Sequence, residues 1–279
     1  MKVGSSRKPH PSPLVQEFLE KGRNESCPVI DMHAHLGPYQ GIYFPNPSAE
    51  DMIRTMDRCG VRLVVSSSHA ALIDTRENIK MVDTVRRYPN RFRAYWVINP
   101  NYPERIEDEI EAFSKAKGFV GFKFLSDYHR QPLTSPRYAL ALEYANEHKL
   151  LVLMHTWGGS PFDSPSHVEQ LARKYSEATL LMGHSGYGEW EKAIQLAKDY
   201  QNVYLELTAA YAVNGVIEWM VKEAGSEKIL FGTDLPWFDP HYGIGCVIFS
   251  RIEDEDRHNI LHINAERLLA PYLSSRPFP

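Results

Sequence analysis

Cysteine is scarce and long apolar runs are missing in this sequence of 279 residues. Its three cysteines, Cys27, Cys59 and Cys246, lie too far apart for a disulfide framework and form no Cys-x-x-Cys pair. No run approaches the roughly 18 apolar residues of a membrane span, and no apolar segment of a secretory signal follows the charged N-terminus. We therefore expect a cytoplasmic protein without a membrane span.

An excess of positive charge and the common nucleotide-binding motifs are also missing. The sequence has 31 Lys and Arg residues and 35 Asp and Glu residues, which gives a formal net charge of −4, and the basic residues are scattered along it. Nucleic acid is therefore not an expected partner. There is no Gly-x-Gly-x-x-Gly fingerprint, Walker loop or Gly-x-Ser-x-Gly elbow, so dinucleotide, ATP and serine-nucleophile chemistry lack support.

Short apolar runs alternate with longer amphipathic stretches along the chain. One helix carries a full set of signals, with Ser48 as N-cap, Asp51 as the capping-box acid and Gly60 as the stop. Alternation of this kind implies parallel strands joined by right-handed crossovers. The eight predicted strands cover residues 28–36, 62–68, 92–100, 119–125, 150–156, 179–185, 203–209 and 229–236.

This rhythm predicts an α/β fold, a single-domain (β/α)8 TIM barrel with a short N-terminal extension. Length alone would also allow two domains, but the regular alternation of strands and helices favours one barrel. We assign residues 1–25 to the extension and residues 26–279 to the barrel. The extension contains one amphipathic piece, "LVQEFLEKG", expected to cover the barrel bottom or to pack on its side.

Residues that bind metals occur where the predicted strands end, which is where TIM barrels place their active sites. In "DMHAHLG", His33 and His35 are two positions apart, so their side chains point to one face of the strand with Cα atoms about 6.6 Å apart. Two imidazoles can therefore converge on one ion such as zinc. His155 and Asp234, which end the fifth and eighth strands, are candidates to complete the ligand set, and His184 ends the sixth.

A single histidine is more often a core or surface residue satisfied by hydrogen bonds than a metal ligand. Four histidines and an aspartate at one end of a barrel favour a metal site. The remaining histidines are interpreted as structural, although His69 and His129 follow the second and fourth strands and could line the pocket. Four aromatic residues beyond the strand ends could wall an apolar pocket or serve loop packing, and both readings stay open. These four are Tyr39, Trp157, Trp237 and Phe238.

Six motifs then carry a family resemblance across residues 28–270: "DMHAHLG", "GFKFL", "LMHTWGG", "LMGHSG", "ILFGTDLPW" and "ILHINAERLL". In this order they resemble the amidohydrolase superfamily, specifically the amidohydrolase-related branch that includes aminocarboxymuconate-semialdehyde decarboxylase and metal-dependent hydrolases. The resemblance implies one divalent ion, with zinc favoured over manganese, and it suggests a homodimer. The implied metal ligands are His33, His35, His155 and Asp234, and the implied histidine that acts on water or substrate is His184.

Lys123, at the end of the fourth strand, has several interpretations. In dinuclear members of the superfamily a lysine at this place is carbamylated and bridges two metals, and His155 and His184 would then bind the second ion. The branch that the chain resembles favours a single ion. Lys123 would then contact a substrate carboxylate, serve a structural contact, or pair with Asp127 in the interior.

The favoured function is a metal-dependent hydrolase of a small carbonyl substrate, such as a lactone, an amide or a related carboxylated compound. A divalent ion activates water, Asp234 accepts its proton, and His184 polarises the carbonyl. Trp157 and Trp237 are candidate substrate contacts. The alternative is a decarboxylase or hydratase, and a third reading is a metal-binding barrel without activity. Several decarboxylases of this branch begin with Glu-x-His, so the His-x-His here favours hydrolysis, although the aminocarboxymuconate enzyme also has His-x-His.

Overall fold

The computed structural model describes residues 12–39 and 41–273. Eight parallel strands follow one another in chain order and form the predicted (β/α)8 barrel. The first eleven residues of the assigned extension and residues 274–279 of the assigned barrel lie outside the described residues, so both domain boundaries stay predictions. The strands are β1 (Val29–Leu36), β2 (Val61–Ser68), β3 (Phe92–Val97), β4 (Phe119–Phe124), β5 (Leu151–Trp157), β6 (Thr179–Tyr187), β7 (Val203–Glu206) and β8 (Ile229–Leu230).

Helices follow the strands on the outside of the barrel, and short 3₁₀ turns precede several of them. None of the described helices combines the length and the apolar character that crossing a bilayer requires. The helices are α1 (Pro13–Lys21), α2 (Ala49–Cys59), α3 (Ile79–Arg87), α4 (Ile106–Lys115), α5 (Ser126–His129), α6 (Ala139–Glu147), α7 (Pro165–Lys174), α8 (Trp190–Asp199), α9 (Val216–Ala224), α10 (Pro240–Phe249), α11 (Asp254–His258), a π-helical turn (Asn259–Ile263) and α12 (Asn264–Leu273).

Helix α2 illustrates how the local sequence sets an element. The Ser48 hydroxyl accepts a hydrogen bond from the Asp51 backbone N–H, and Gly60 ends the helix with a φ of 80° and an N–H that bonds to Met56. The predicted N-cap and stop are therefore confirmed. The Asp51 carboxylate accepts from the Ser48 hydroxyl at 2.6 Å, whereas a capping box would place it on the Ser48 backbone N–H.

The barrel closes where β1 meets the segment that follows β8. The Met32 N–H donates to the Phe231 carbonyl at 2.9 Å, and the His35 N–H donates to Leu235 at 2.8 Å. The regular strand β8 nevertheless covers only Ile229–Leu230, shorter than the predicted 229–236. At Asp234 the backbone has a φ of 59°, in the left-handed region, so the chain leaves the extended path at this residue before the next helix begins.

Apolar side chains fill the barrel interior, and a second, larger core lies between the strands and the outer helices. The bottom of the barrel, at the N-terminal ends of the strands, is covered by α12, whose Ala265 and Leu269 join the interior core. Helix α1 packs on the side of the barrel, since the Phe18 ring meets the Phe249 ring of α10 edge to face at 6.0 Å. Of the two positions expected for the N-terminal amphipathic piece, α1 takes the one on the side of the barrel, and α12 covers the bottom.

Candidate metal centre

His33, His35 and Asp234 converge at the C-terminal end of the barrel. The Nε2 atoms of His33 and His35 lie 3.1 Å and 3.3 Å from Oδ1 of Asp234, and the two histidine rings are 5.3 Å apart. All three side chains are buried. Burial lowers the pKa of both histidines, which favours neutral imidazoles beside the carboxylate.

The Asp234 carboxylate provides a test of whether a cation fits this group. Burial alone would raise the Asp234 pKa, but His33, His184 and His35 outweigh it and hold that pKa well below its usual value. Its Oδ1 atom is buried and has no hydrogen-bond partner in the described structure. A buried carboxylate oxygen beside two imidazole nitrogens suits a shared divalent ion, and this donor set fits either zinc or manganese.

Glu206, at the end of β7, orients His33 and was not predicted from the sequence. Its Oε2 lies 2.7 Å from His33 Nδ1, and its Oε1 accepts from the Thr208 N–H at 2.7 Å and from the Thr208 hydroxyl at 2.6 Å. Burial raises the Glu206 pKa, and the hydrogen bonds from Thr208 oppose that shift. A charged residue inside the apolar run "VYLELTA" was the available signal.

Two further side chains fix the β1 histidines. The Asp31 Oδ1 atom accepts from the His33 backbone N–H at 3.0 Å and from the Thr233 N–H at 3.2 Å, which ties β1 to the segment after β8. Burial raises the Asp31 pKa to about 8. On the other side, the Ser67 hydroxyl of β2 lies 3.3 Å from Nδ1 of His35. With Glu206 on Nδ1 of His33 and Ser67 near Nδ1 of His35, the Nε2 atoms of both histidines lie beside Asp234.

His155 faces the same cavity but lies outside the tight group. Among the described residues, the ligand atoms of His33, His35 and Asp234 all lie within 4.8 Å of one another, and His155 is not part of that set. Its Nδ1 is 2.7 Å from Oδ2 of the fully buried Asp163, another residue that the sequence analysis missed. Asp163 thus occupies Nδ1 and leaves Nε2 of this predicted ligand for the cavity.

His184 lies beside the group in a left-handed backbone conformation, with a φ of 65°. Its Nδ1 is 3.3 Å from the Thr208 carbonyl, and its Nε2 is 4.0 Å from Oδ2 of Asp234. Burial lowers the His184 pKa to about 3, against the opposing charge of Asp234. Ala209 and Asp234 are also left-handed, and such clusters of costly backbone conformations are typical of functional sites.

Lys123 is buried within the group, with its Nζ atom 2.7 Å from Nε2 of His33. Burial lowers the Lys123 pKa to about 8, although Asp234, Glu206 and Asp163 oppose this shift. The interior pair with Asp127 is not formed, because Asp127 is exposed on α5. Lys123 and a metal ion would therefore contact the same His33 nitrogen.

A cavity of about 210 Å³ opens above the group. Trp157 stacks on Tyr187 with ring centres 4.3 Å apart, and Trp237 stacks on Phe238 at 4.8 Å, so both tryptophans combine loop packing with a place on the cavity wall. The cavity is lined by His33, His35, Ile42, Phe44, His69, Leu72, Lys123, Leu125, Tyr128, His155, Trp157, His184, Ala209, Asp234, Trp237 and Phe238.

His69 and His129, whose roles the sequence left open, have different surroundings in the structure. His69 is 3% exposed, lines the cavity, and has no hydrogen-bond partner on either ring nitrogen in the described structure. Tyr39 stacks near it with ring centres 4.3 Å apart. His129 has a structural role, since its ring nitrogens lie 2.7 Å from the Leu72 carbonyl and 3.0 Å from the Tyr138 hydroxyl.

Known proteins share this fold and family. A family model described as amidohydrolase matches residues 30–270. The gamma-resorcylate decarboxylase of Polaromonas sp. (strain JS666 / ATCC BAA-500) is 23% identical over 297 aligned residues, covering 88% of this chain and 89% of that protein.

Two solved structures extend the comparison. One is 5-carboxyvanillate decarboxylase from Novosphingobium aromaticivorans, complexed with manganese and 4-hydroxy-3-methoxy-5-nitrobenzoic acid (14% identity, TM-score 0.71, 88% of this chain and 96% of that chain). The other is 2,6-dihydroxybenzoate decarboxylase from Rhizobium (16% identity, TM-score 0.69, 88% and 99%). At these identities the likeness of the solved structures shows the fold, and the family match covers most of the sequence. The chain belongs to the amidohydrolase family.

Proposed function

We propose that this chain is a metal-dependent decarboxylase of a small hydroxylated aromatic carboxylate. The observation that carries the proposal is the group of His33, His35 and Asp234 at the base of a cavity of about 210 Å³ whose walls are largely aromatic. The decarboxylase relatives support this alternative over the hydrolase that the His-x-His motif favoured, since that motif also occurs in a decarboxylase of the branch.

The proposed ligands of a single divalent ion are Nε2 of His33, Nε2 of His35 and Oδ1 of Asp234, with Nε2 of His155 as the fourth. When bound, the ion supplies positive charge that attracts the substrate carboxylate and stabilises negative charge developing on the ring. Manganese in a solved relative supports manganese alongside zinc as the ion to test. The Lys123 Nζ atom lies 2.7 Å from Nε2 of His33, so we expect the Lys123 amine to move away from this nitrogen when a metal binds.

The reaction breaks the bond between the ring and the carboxylate and leaves the electron pair on the ring carbon, which must then take a proton. We assign that proton to the pair of His184 and Asp234, whose Nε2 and Oδ2 atoms are 4.0 Å apart at the cavity. Burial lowers the His184 pKa to about 3, so His184 is neutral at rest and must take up a proton from water before it passes one to the ring carbon. The Thr208 carbonyl holds the His184 imidazole in place through its Nδ1 atom.

The cavity walls would bind and orient the ring. Trp157, Trp237 and Phe44 provide apolar surface against which the substrate ring would pack. Both ring nitrogens of His69, in this wall, lack a partner in the described structure, and a hydroxyl or carboxylate oxygen of the substrate would satisfy one of them.

The proposal is tested with protein stripped of metal and reloaded with manganese or zinc. The substrates are 2,6-dihydroxybenzoate, other hydroxybenzoates and a panel of lactones and amides, and the readouts are carbon dioxide and chromatography of the products. We expect metal-dependent release of carbon dioxide with an equal amount of the matching phenol. Asp234→Asn should abolish it, while Asp239→Asn, which changes an exposed aspartate, should not.

Two outcomes would replace the proposal. Hydrolysis of a lactone or amide without carbon dioxide would restore the hydrolase reading. Stoichiometric metal binding with no reaction across the whole panel would favour the metal-binding barrel without activity.

A further inference from the structure

A second group of metal-binding residue types lies at the opposite end of the barrel. Cys27 precedes β1, His258 ends α11, and His262 lies in the π-helical turn Asn259–Ile263. Their ligand atoms all lie within 4.8 Å of one another. Strands begin at this end, whereas the candidate active site lies where strands finish, so this group is separate from the cavity.

The two histidines are already arranged as ligands would be. Nδ1 of His258 is 3.0 Å from Nε2 of His262, and the two rings are nearly perpendicular at 80°. π-Helical turns are rare and frequently occur at functional sites. Here the turn begins directly after His258 and contains His262, and it brings these residues together over Cys27.

Burial and charge both suit a cation at this place. Cys27 is completely buried, and only 12% of the His262 side chain is exposed. The Nδ1 atom of His262 has no hydrogen-bond partner in the described structure, and it lies 3.4 Å from Oε2 of Glu266. The carboxylates of Asp254, Glu17 and Glu266 also lie close enough to act electrostatically on the Cys27 thiol. A divalent cation would replace the thiol proton and would be attracted by the same carboxylates.

We propose that Cys27, His258 and His262 bind a zinc ion at a second site, separate from the catalytic metal centre. One thiolate and two imidazoles are typical zinc ligands, whereas manganese prefers oxygen ligands, so this site would select zinc even where the catalytic site accepts manganese. A zinc ion here joins the segment before β1 to the C-terminal helices that cover the barrel bottom. The proposal does not depend on the proposed reaction.

Cobalt substitution distinguishes this site from the catalytic one by spectroscopy. A thiolate ligand gives cobalt a charge-transfer band in the near ultraviolet, whereas the histidine and aspartate ligands proposed for the catalytic site give none. We expect this band in the cobalt-loaded wild-type protein and its loss in Cys27→Ser. The matched variants Cys59→Ser and Cys246→Ser should retain it, which would also exclude the weaker group of Cys59, Asp239 and His241.

A metal count provides the second measurement. After zinc loading and removal of free metal, Cys27→Ser should hold one zinc ion per chain fewer than the wild type. His262→Gln should show the same loss, which keeps the test valid if Cys27→Ser fails to fold by circular dichroism. Absence of the band from the wild type, its persistence in Cys27→Ser, or an unchanged zinc count in both variants would overturn the proposal.

Discussion

Nδ1 of His33 lies 2.7 Å from Oε2 of Glu206, and both side chains are buried where β1 and β7 end. This contact favours the ring proton on Nδ1, while Nε2 lies 3.1 Å from Oδ1 of Asp234 and 2.7 Å from Nζ of Lys123. Hydrogen bonds of this kind fix the tautomer and orientation of a metal-binding histidine and raise its basicity. Glu206 therefore acts on the proposed metal through His33 as a positioning residue.

Glu206→Gln should weaken metal binding about 10- to 100-fold, because the amide cannot accept from both His33 and Thr208 as the carboxylate does. Titration of the stripped protein with manganese measures this affinity. The matched control is Glu109→Gln, which alters another buried glutamate, one that accepts from Trp96 Nε1 at 2.7 Å. Equal manganese affinity in wild type and Glu206→Gln would show that the contact does not position a ligand.

Gly232→Ala should destabilise the fold by about 1 to 3 kcal/mol and weaken metal binding, because overpacking a rigid site displaces its neighbours. A Cβ atom at Gly232 would collide with the Glu206 carboxylate and come within 2.8 Å of the His33 Cβ. Gly245→Ala, in helix α10, meets nothing within 4 Å and should stabilise by about 0.5 to 1 kcal/mol. Chemical denaturation compares the two variants, and equal effects would contradict this account.

His69→Phe should raise the KM for the carboxylate substrate about tenfold with a smaller change in kcat, since one hydrogen bond to the bound substrate is lost. Stability should not fall, because the imidazole nitrogens have no partner in the described structure of the free protein. Steady-state kinetics and thermal unfolding provide the two readouts, with the exposed His148→Phe as control. An unchanged KM would reduce His69 to a packing role.

Acid should destabilise the protein through His129. Burial lowers its pKa to about 4, although the Leu72 carbonyl opposes this shift. Between pH 6.5 and pH 4 the unfolded chain binds a proton at His129 that the folded chain does not. The free energy of unfolding is therefore highest above this window and falls as the pH is lowered through it, by at most about 3 kcal/mol.

His129→Gln removes this titration, so its unfolding free energy should fall less than that of the wild type between pH 7 and pH 4.5. Urea denaturation at the two pH values measures the difference. Identical pH dependence in the two proteins would mean that His129 does not contribute.

The sequence was sufficient for the barrel and for the side chains that end its strands, because both follow from local periodicity. His33 and His35 face the same side since they are two positions apart on a strand, and Asp234 joins them because parallel strands end at one edge. The shorter β8 could not be predicted, since the apolar run from residue 229 continues past Leu230, where the regular strand ends.

The partners of the site residues were harder to predict, because they depend on contacts between residues distant in the sequence. Glu206 is 173 positions from His33, and no local pattern links them. The distance between His155 and the tight group is likewise a product of packing, in which Asp163 holds the ring. The assignment of ligands and of the proton carrier therefore stays a prediction.

The central claim is that the chain replaces a ring carboxylate by a proton at a metal-dependent site. The most direct measurement is nuclear magnetic resonance of the product that manganese-loaded protein forms from hydroxybenzoates in D2O. The account predicts one deuterium per product molecule at the carbon that carried the carboxylate, at a rate above that of solvent exchange into the product alone, and no product with Asp234→Asn. Hydroxybenzoates recovered intact from the metal-loaded wild type, while a lactone or amide is hydrolysed, would contradict it.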